Sequence, residues 1–182
     1  MRFLEKDEVK KSIWRSRNAP ENKITAILDE LEKDHPEVYR LIYDEPYDAI
    51  ASMNKDMANL YLDLSFDVVW VFRDAFGNPP SVENEEEWML SKLSLLDAEL
   101  KSLTEEIPMD DNFRRNLQER FIKRSIGTKL QIELLRYLGD EVKKYASFDK
   151  NRVPAIKFTT YLLFVLVRLM GDLYSLKATE SG

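Results

Sequence analysis

Along most of the chain, apolar residues recur every three or four positions, the spacing that lays them on one face of an α-helix. Phe3 or Leu4, Val9, and Ile13 or Trp14 follow it among charges, so a short amphipathic helix is expected from Phe3 to Arg15. Beyond Asn18 and Pro20, the stripe Ile24, Ile27, Leu28 and Leu31 marks a second helix, which Asp34, His35 and Pro36 interrupt. Pro36 suits the first turn of a further helix with Asp34 or His35 at its N-cap, and Val38, Tyr39, Leu41 and Ile42 follow.

From Tyr47 to Phe76 the pattern reads as one long helix, closed by Gly77, Pro79 and Pro80. Inside it, LDLSFDV alternates apolar with polar and VVWVF is rich in strand formers, so Leu62 to Phe72 also fits a strand. Helix is preferred, because the preceding ASMNKDMANLY is helical in character and holds no turn pair from which a strand could start. Ser81 is the expected cap of the next helix, with Glu83, Glu85, Glu86 and Glu87 at its positive end and Trp88, Leu90, Leu93, Leu96, Leu100 and Leu103 on its buried side. Pro108 ends it. Asp110 or Asp111 opens a segment reaching Tyr145 with a break or kink at Gly127, and Asn151 with Pro154 opens the last helix, which runs past Tyr174.

These elements predict an all-α fold, a single-domain bundle of five or six mostly antiparallel helices over residues 1–177 with a disordered tail at 178–182. Composition agrees: 44% hydrophobic and 33% charged residues suit a folded chain, and 5 Gly and 7 Pro are few for a turn-rich β fold. Zero Cys removes disulfides, thiolate metal sites and a cysteine nucleophile, and with no signal-like N-terminal segment a cytoplasmic location is expected. The most apolar stretch, FTTYLLFVLVRLMGDLY, is read as a core helix and not a membrane span, since only ten residues separate Lys157 from Arg168 where a span needs about 20.

Candidate chemistry comes from two polar seams. On a helical wheel Lys157, Tyr161, Arg168, Asp172 and Ser175 fall on one line of the last helix. Asp56, Asn59, Asp63, Asp67, Trp70 and Asp74 do the same on the long helix before Gly77. The plainer reading turns each seam to water. The sharper one makes them face each other, so that Asp63, Asp67 and Asp74 meet Lys157, Tyr161 and Arg168 in a polar channel walled by Trp70. Asp63 and Asp67 stand one turn apart and could share Mg²⁺ or Mn²⁺, with Glu83, Glu86 and Glu87 adding oxygens. All-helical nucleotide pyrophosphatases use carboxylates on paired helices in this general way, but their ExxE and ExxD pattern does not align here.

His35, the single histidine, is read as a cap or a solvent-facing residue, and no serine-nucleophile or phosphate-loop motif occurs. RRNLQERFIKRSIGTK sets six cations, Arg114, Lys123 and Arg124 among them, against Glu119 alone. It offers a nucleic-acid surface or, more simply, a helix paired with the acidic one before it; a formal net charge of -6 disfavours nucleic acid. The leading expectation is a non-catalytic interaction protein that binds a protein partner or self-associates, without cofactor, using Trp70, Tyr161, Arg168, Asp172, Arg114, Lys123 and Arg124. An exposed aromatic patch of Phe3, Trp14, Tyr39, Tyr43 and Tyr47 would add to the interface. The alternatives are a divalent-metal hydrolase of a phosphorylated small molecule, with Asp63 and Asp67 as ligands, and nucleic-acid binding through residues 114–129.

Overall fold

A computed structural model describes residues 1–104 and 107–176. The expected tail at 178–182 lies outside the described residues, which are helical with no strand among them. The described residues form nine α-helices in order: α1 (Lys6–Arg17), α2 (Glu21–Asp34), α3 (Pro36–Tyr43), α4 (Glu45–Met53), α5 (Lys55–Phe76), α6 (Glu85–Ser102), α7 (Asp111–Gly127), α8 (Ile132–Ala146) and α9 (Val153–Ser175), with a 3₁₀ turn before α9.

The expected count of five or six is therefore too low, and two breaks account for much of the difference. The single helix expected over 47–76 divides at Asn54, whose extended backbone ends α4 while its side chain caps α5 by accepting from the Met57 N–H at 3.0 Å. The segment expected over 110–145 divides just beyond Gly127. There the N–H of Leu130 reaches the Ser125 carbonyl at 2.9 Å and that of Lys129 reaches Ile126 at 3.2 Å, the paired bonds of a Schellman stop. The left-handed residue at its centre is Lys129, at φ 52, and not a glycine.

At the centre lie α5 and α9, each covered on nearly every side. Met57, Ala58, Tyr61, Leu64, Val68, Val71 and Phe72 of α5 have no exposed surface, nor have Leu166 and Leu173 of α9. Each such large apolar side chain contributes about 1.5–3 kcal/mol through burial. This explains the strand-like look of LDLSFDV: a helix buried all round needs no 3.6-residue polarity pattern, and its valines pack as well as leucines would. By length and composition Lys150–Ser175 is also apolar enough to cross a membrane, and 56% of an 18-residue apolar window within it is buried inside this fold.

The central pair runs parallel, contrary to the mostly antiparallel arrangement expected of neighbours. Asn54 Nδ2 donates to the Asn151 carbonyl at 3.3 Å and Arg152 pairs with Asp56 at 3.0 Å, which ties the two N-terminal ends. At the other end the Tyr174 hydroxyl donates to the Gly77 carbonyl at 2.8 Å, and the Tyr174 ring lies 5.4 Å from Phe72. By contrast α1 lies antiparallel on α5, and α6 and α7 form an antiparallel hairpin whose second arm runs alongside α9: Phe121 lies 6.5 Å from Phe164, Ser125 bonds Arg168 and Thr128 sits over Gly171. Gln131 holds the start of the chain to the α7–α8 corner, accepting from the Leu4 N–H and donating to the Arg2 carbonyl.

Several tyrosines are half-buried or buried within this packing. Burial pushes the phenols of Tyr43 and Tyr137 up to about 12 and those of Tyr61 and Tyr174 higher still, from an ordinary value of 10.0. A raised folded-state value favours the folded chain fully below the unfolded value and loses that contribution as pH climbs through the folded one. Stability to urea is therefore expected to fall steeply above about pH 10, and Tyr61→Phe is expected to make that fall shallower; equal slopes in native and variant chains would contradict it.

Candidate functional site

The acidic seam of α5 divides: Asp56, Asn59 and Asp63 are exposed, whereas Asp67 and Asp74 meet α1 and not α9. Ser16 Oγ donates to Asp67 Oδ1 at 2.8 Å, Arg17 donates to Asp67 Oδ2 at 2.6 Å, and Ser12 Oγ donates to Asp74 at 2.7 Å, with Arg15 bonded to the same Asp74 oxygen. Asp63 is exposed and stands 3.6 Å from Arg17. Asp67 is fully buried. Burial raises its carboxyl above the ordinary value, while Arg17 and Ser16 act against the rise. The polar channel between α5 and α9 is thus corrected: α1 supplies the partners. Arg17 already provides the positive charge beside Asp63 and Asp67, and no group of three or more acidic or imidazole side chains gathers to hold a metal among the described residues. Trp70 is buried beneath Lys23, whose Nζ lies 4.6 Å from the ring centroid.

The seam of α9 divides. Lys157 and Tyr161 are exposed, whereas Arg168 and Asp172 are buried against the α6–α7 hairpin. Arg124 of α7 bridges two helices, donating to Glu99 of α6 at 3.0 Å and to Asp172 of α9 at 2.7 Å. Arg168 donates to Ser125 Oγ at 2.9 Å, lies 3.9 Å from Glu99 and stands over the Phe121 ring at 5.3 Å. Glu99 is 0% and Arg168 1% exposed. Burial, with the like charge of Arg124, pushes the Arg168 guanidinium below its ordinary value, while Asp172 and Glu99 act against that shift. Two cations and two anions therefore meet in a network that locks α6, α7 and α9 together. Arg168 and Asp172 serve in it as an internal clasp, while Arg124 also lines a hollow of about 590 Å³ together with Arg120, Lys123 and Thr128.

The basic stretch is engaged inside the fold at Arg114 and Arg124, while Arg115, Arg120 and Lys123 are exposed. Arg114 donates to the carbonyls of Ser102, Thr104 and Ile107, and Gln118 reaches the Ser102 carbonyl at 2.8 Å, which satisfies the end of α6. Lys129 stands over the Phe3 ring at 5.4 Å. Pairing with α6 thus holds for Arg114 and Arg124, while Lys123 is exposed and lies 3.9 Å from Glu119 of its own helix. Of the expected aromatic patch, Phe3 and Trp14 are exposed, whereas Tyr39 and Tyr43 are half-buried and stacked at 4.6 Å.

Three surface features escaped the sequence reading. Ile122 and Ile126, one turn apart on the outer face of α7, are 57% and 60% exposed. Leu90 and Leu103, expected on the buried side of α6, are exposed instead. Between α3, α4 and α6 runs a groove of about 310 Å³ with Leu41, Met89, Leu90 and Leu93 in its lining, together with Glu37, Asp44, Glu45 and Glu86. Finally His35 is buried, correcting the solvent-facing expectation, and its Nδ1 lies 2.9 Å from Glu85.

Because Arg124 alone joins both acids of the clasp through hydrogen bonds, Arg124→Ala leaves Glu99 and Asp172 short of charge compensation in a dry setting. A loss of about 3–5 kcal/mol in urea unfolding is expected; a loss near that of an exposed ion pair, about 1 kcal/mol or less, would show the network to be solvated.

Comparison with protein-family models, with curated proteins and with solved structures finds no match for this chain.

Proposed function

We propose that the chain is a non-catalytic helical interaction protein that acts through the outer face of α7, and that a second copy of the chain is its partner. The observation that carries this reading is the isoleucine pair of α7. Ile122 and Ile126 stand more than half exposed on a helix whose opposite face is fixed to α6 and α9. Arg115 and Lys123 are exposed beside them. The helix spans seventeen residues, or about 25 Å, and presents an apolar ridge with basic flanks.

The groove between α3, α4 and α6 has a net acidic lining, apolar side chains with four carboxylates against Arg40, which pairs with Glu37. Ridge and groove on two copies match in charge, in apolar content and in helical shape, the form of recognition in which a helix seats in a groove.

The other two readings find less support. Of the six cations in residues 114–129, Arg114 and Arg124 are spent on α6 and α9, which leaves too few for a phosphate-backbone surface. The metal-hydrolase reading has to displace Arg17 from Asp63 and Asp67 before a cation could enter.

Sedimentation velocity of the full chain tests the proposal. A concentration-dependent dimer is expected, weakened as salt rises and weakened by about tenfold or more in Ile126→Asp. A chain that stays monomeric at the highest attainable concentration, or a dimer indifferent to Ile126→Asp, would overturn it.

A further inference from the structure

Phe148, in the turn between α8 and α9, is the most exposed large apolar side chain among the described residues, at 71%. Val153 at the start of α9 is 55% exposed and Met53 at the end of α4 is 41% exposed. The three share one end of the bundle. Asn54, next to Met53, donates to the Asn151 carbonyl at 3.3 Å, and the Phe148 N–H reaches the Tyr145 carbonyl at 3.3 Å as α8 closes. The start of α7 lies at this end as well. Phe121 beside Phe164, Ser125 on Arg168 and Thr128 over Gly171 keep one register along α9, which brings Phe113, also exposed, level with Ile156.

Charge gathers around the same turn. From Lys143 to Lys157 the chain reads KKYASFDKNRVPAIK, five cations against Asp149 alone, within a protein of net charge -6. Lys143, Lys144, Lys150 and Lys157 are exposed, as is Lys55 at the start of α5, and none of the five has an ion pair among the described residues. The acids of the corner are already engaged: Asp56 pairs with Arg152 at 3.0 Å, and Asp149 accepts from the Asn151 N–H at 2.9 Å. Asp140 and Glu141 stand roughly 10 Å back along α8 from Phe148, and beside Phe113 the exposed Arg115 and Asp111 balance each other.

We propose that this end of the bundle docks on the surface of an anionic phospholipid bilayer, with Phe148 entering the headgroup layer and the lysines meeting lipid phosphates. The apolar groups project from a turn, a shape suited to a soft interface that admits a protruding ring. Lysine is a point charge on a flexible apolar stem, so it follows mobile headgroups and can lie along the interface, whereas a fixed array of phosphates or carboxylates favours the arginine fork. The one arginine here, Arg152, is turned inward to Asp56 and the Tyr145 carbonyl. The field of an anionic surface attracts this corner and repels the acidic remainder, which sets the orientation of approach.

Flotation of the full chain with vesicles of phosphatidylcholine, with and without phosphatidylserine, tests the proposal. Binding is expected only with phosphatidylserine, and it is expected to fade as salt rises. Each lysine at such a surface contributes about fivefold in affinity, so Lys143→Glu combined with Lys144→Glu is expected to weaken binding by tenfold or more. Phe148→Ser is expected to weaken it by about fivefold, and Phe148→Trp to retain it, because both aromatics suit the headgroup layer. These side chains are exposed, so the variants keep the fold, which circular dichroism checks. No flotation at low salt, or flotation unchanged in the lysine and serine variants, overturns the proposal. Binding to duplex DNA or polyglutamate with none to vesicles would give the corner to an acidic macromolecule and overturn it equally.

Discussion

Two helices that are apolar on nearly every side cannot stand beside water, and the arrangement of the molecule follows from hiding both. α5 and α9 lie against each other, and the shorter, more polar helices wrap the pair. The few charges on the central helices then face a strict requirement. Each must find an opposite charge or a hydrogen-bond donor within the bundle, because the desolvation of a buried ion costs several kcal/mol. α1 meets that requirement for Asp67 and Asp74, and the α6–α7 hairpin meets it for Arg168 and Asp172. Polar contacts of this kind favour one placement of the covering helices over others, where apolar contact alone would accept many.

That division also separates framework from surface. Residues that look chemically interesting in the sequence, such as Arg114, Arg124, Arg168 and the α5 aspartates, are used internally as caps, bridges and clasps. What is left facing outward is plainer: a pair of isoleucines with basic neighbours, an acidic groove, and a corner where lysines surround Phe148.

The helical class and the two seams were legible because composition and 3.6-residue spacing report burial directly, and the prolines and Gly77 marked ends correctly. The breaks were harder to see. Asn54 interrupts a run of good helix formers with no proline or glycine to announce it, and the stop after α7 is made by Lys129 in a conformation that sequence statistics assign to glycine. The partners of each seam were not legible at all. A wheel places Asp67 and Arg168 on a line along their own helices but says nothing of which helix comes to cover that line, and here the covering elements lie about fifty residues away in the chain for both. His35 shows the same limit: its position beside Pro36 is local information, whereas its carboxylate partner sits fifty residues on.

The parallel course of α5 and α9 has a consequence for the order in which the molecule is made. The ties at both ends join residues 97 apart in sequence, from Asn54 to Asn151 and from Gly77 to Tyr174. No nascent chain shorter than that interval contains both walls of the core, so α5 is made well before α9 can cover it, with only the α6–α7 hairpin forming between them by local contacts. Contacts of such long range are slow to close. The central pair is therefore completed only once α9 has been made, and until then α5 lacks its largest apolar neighbour.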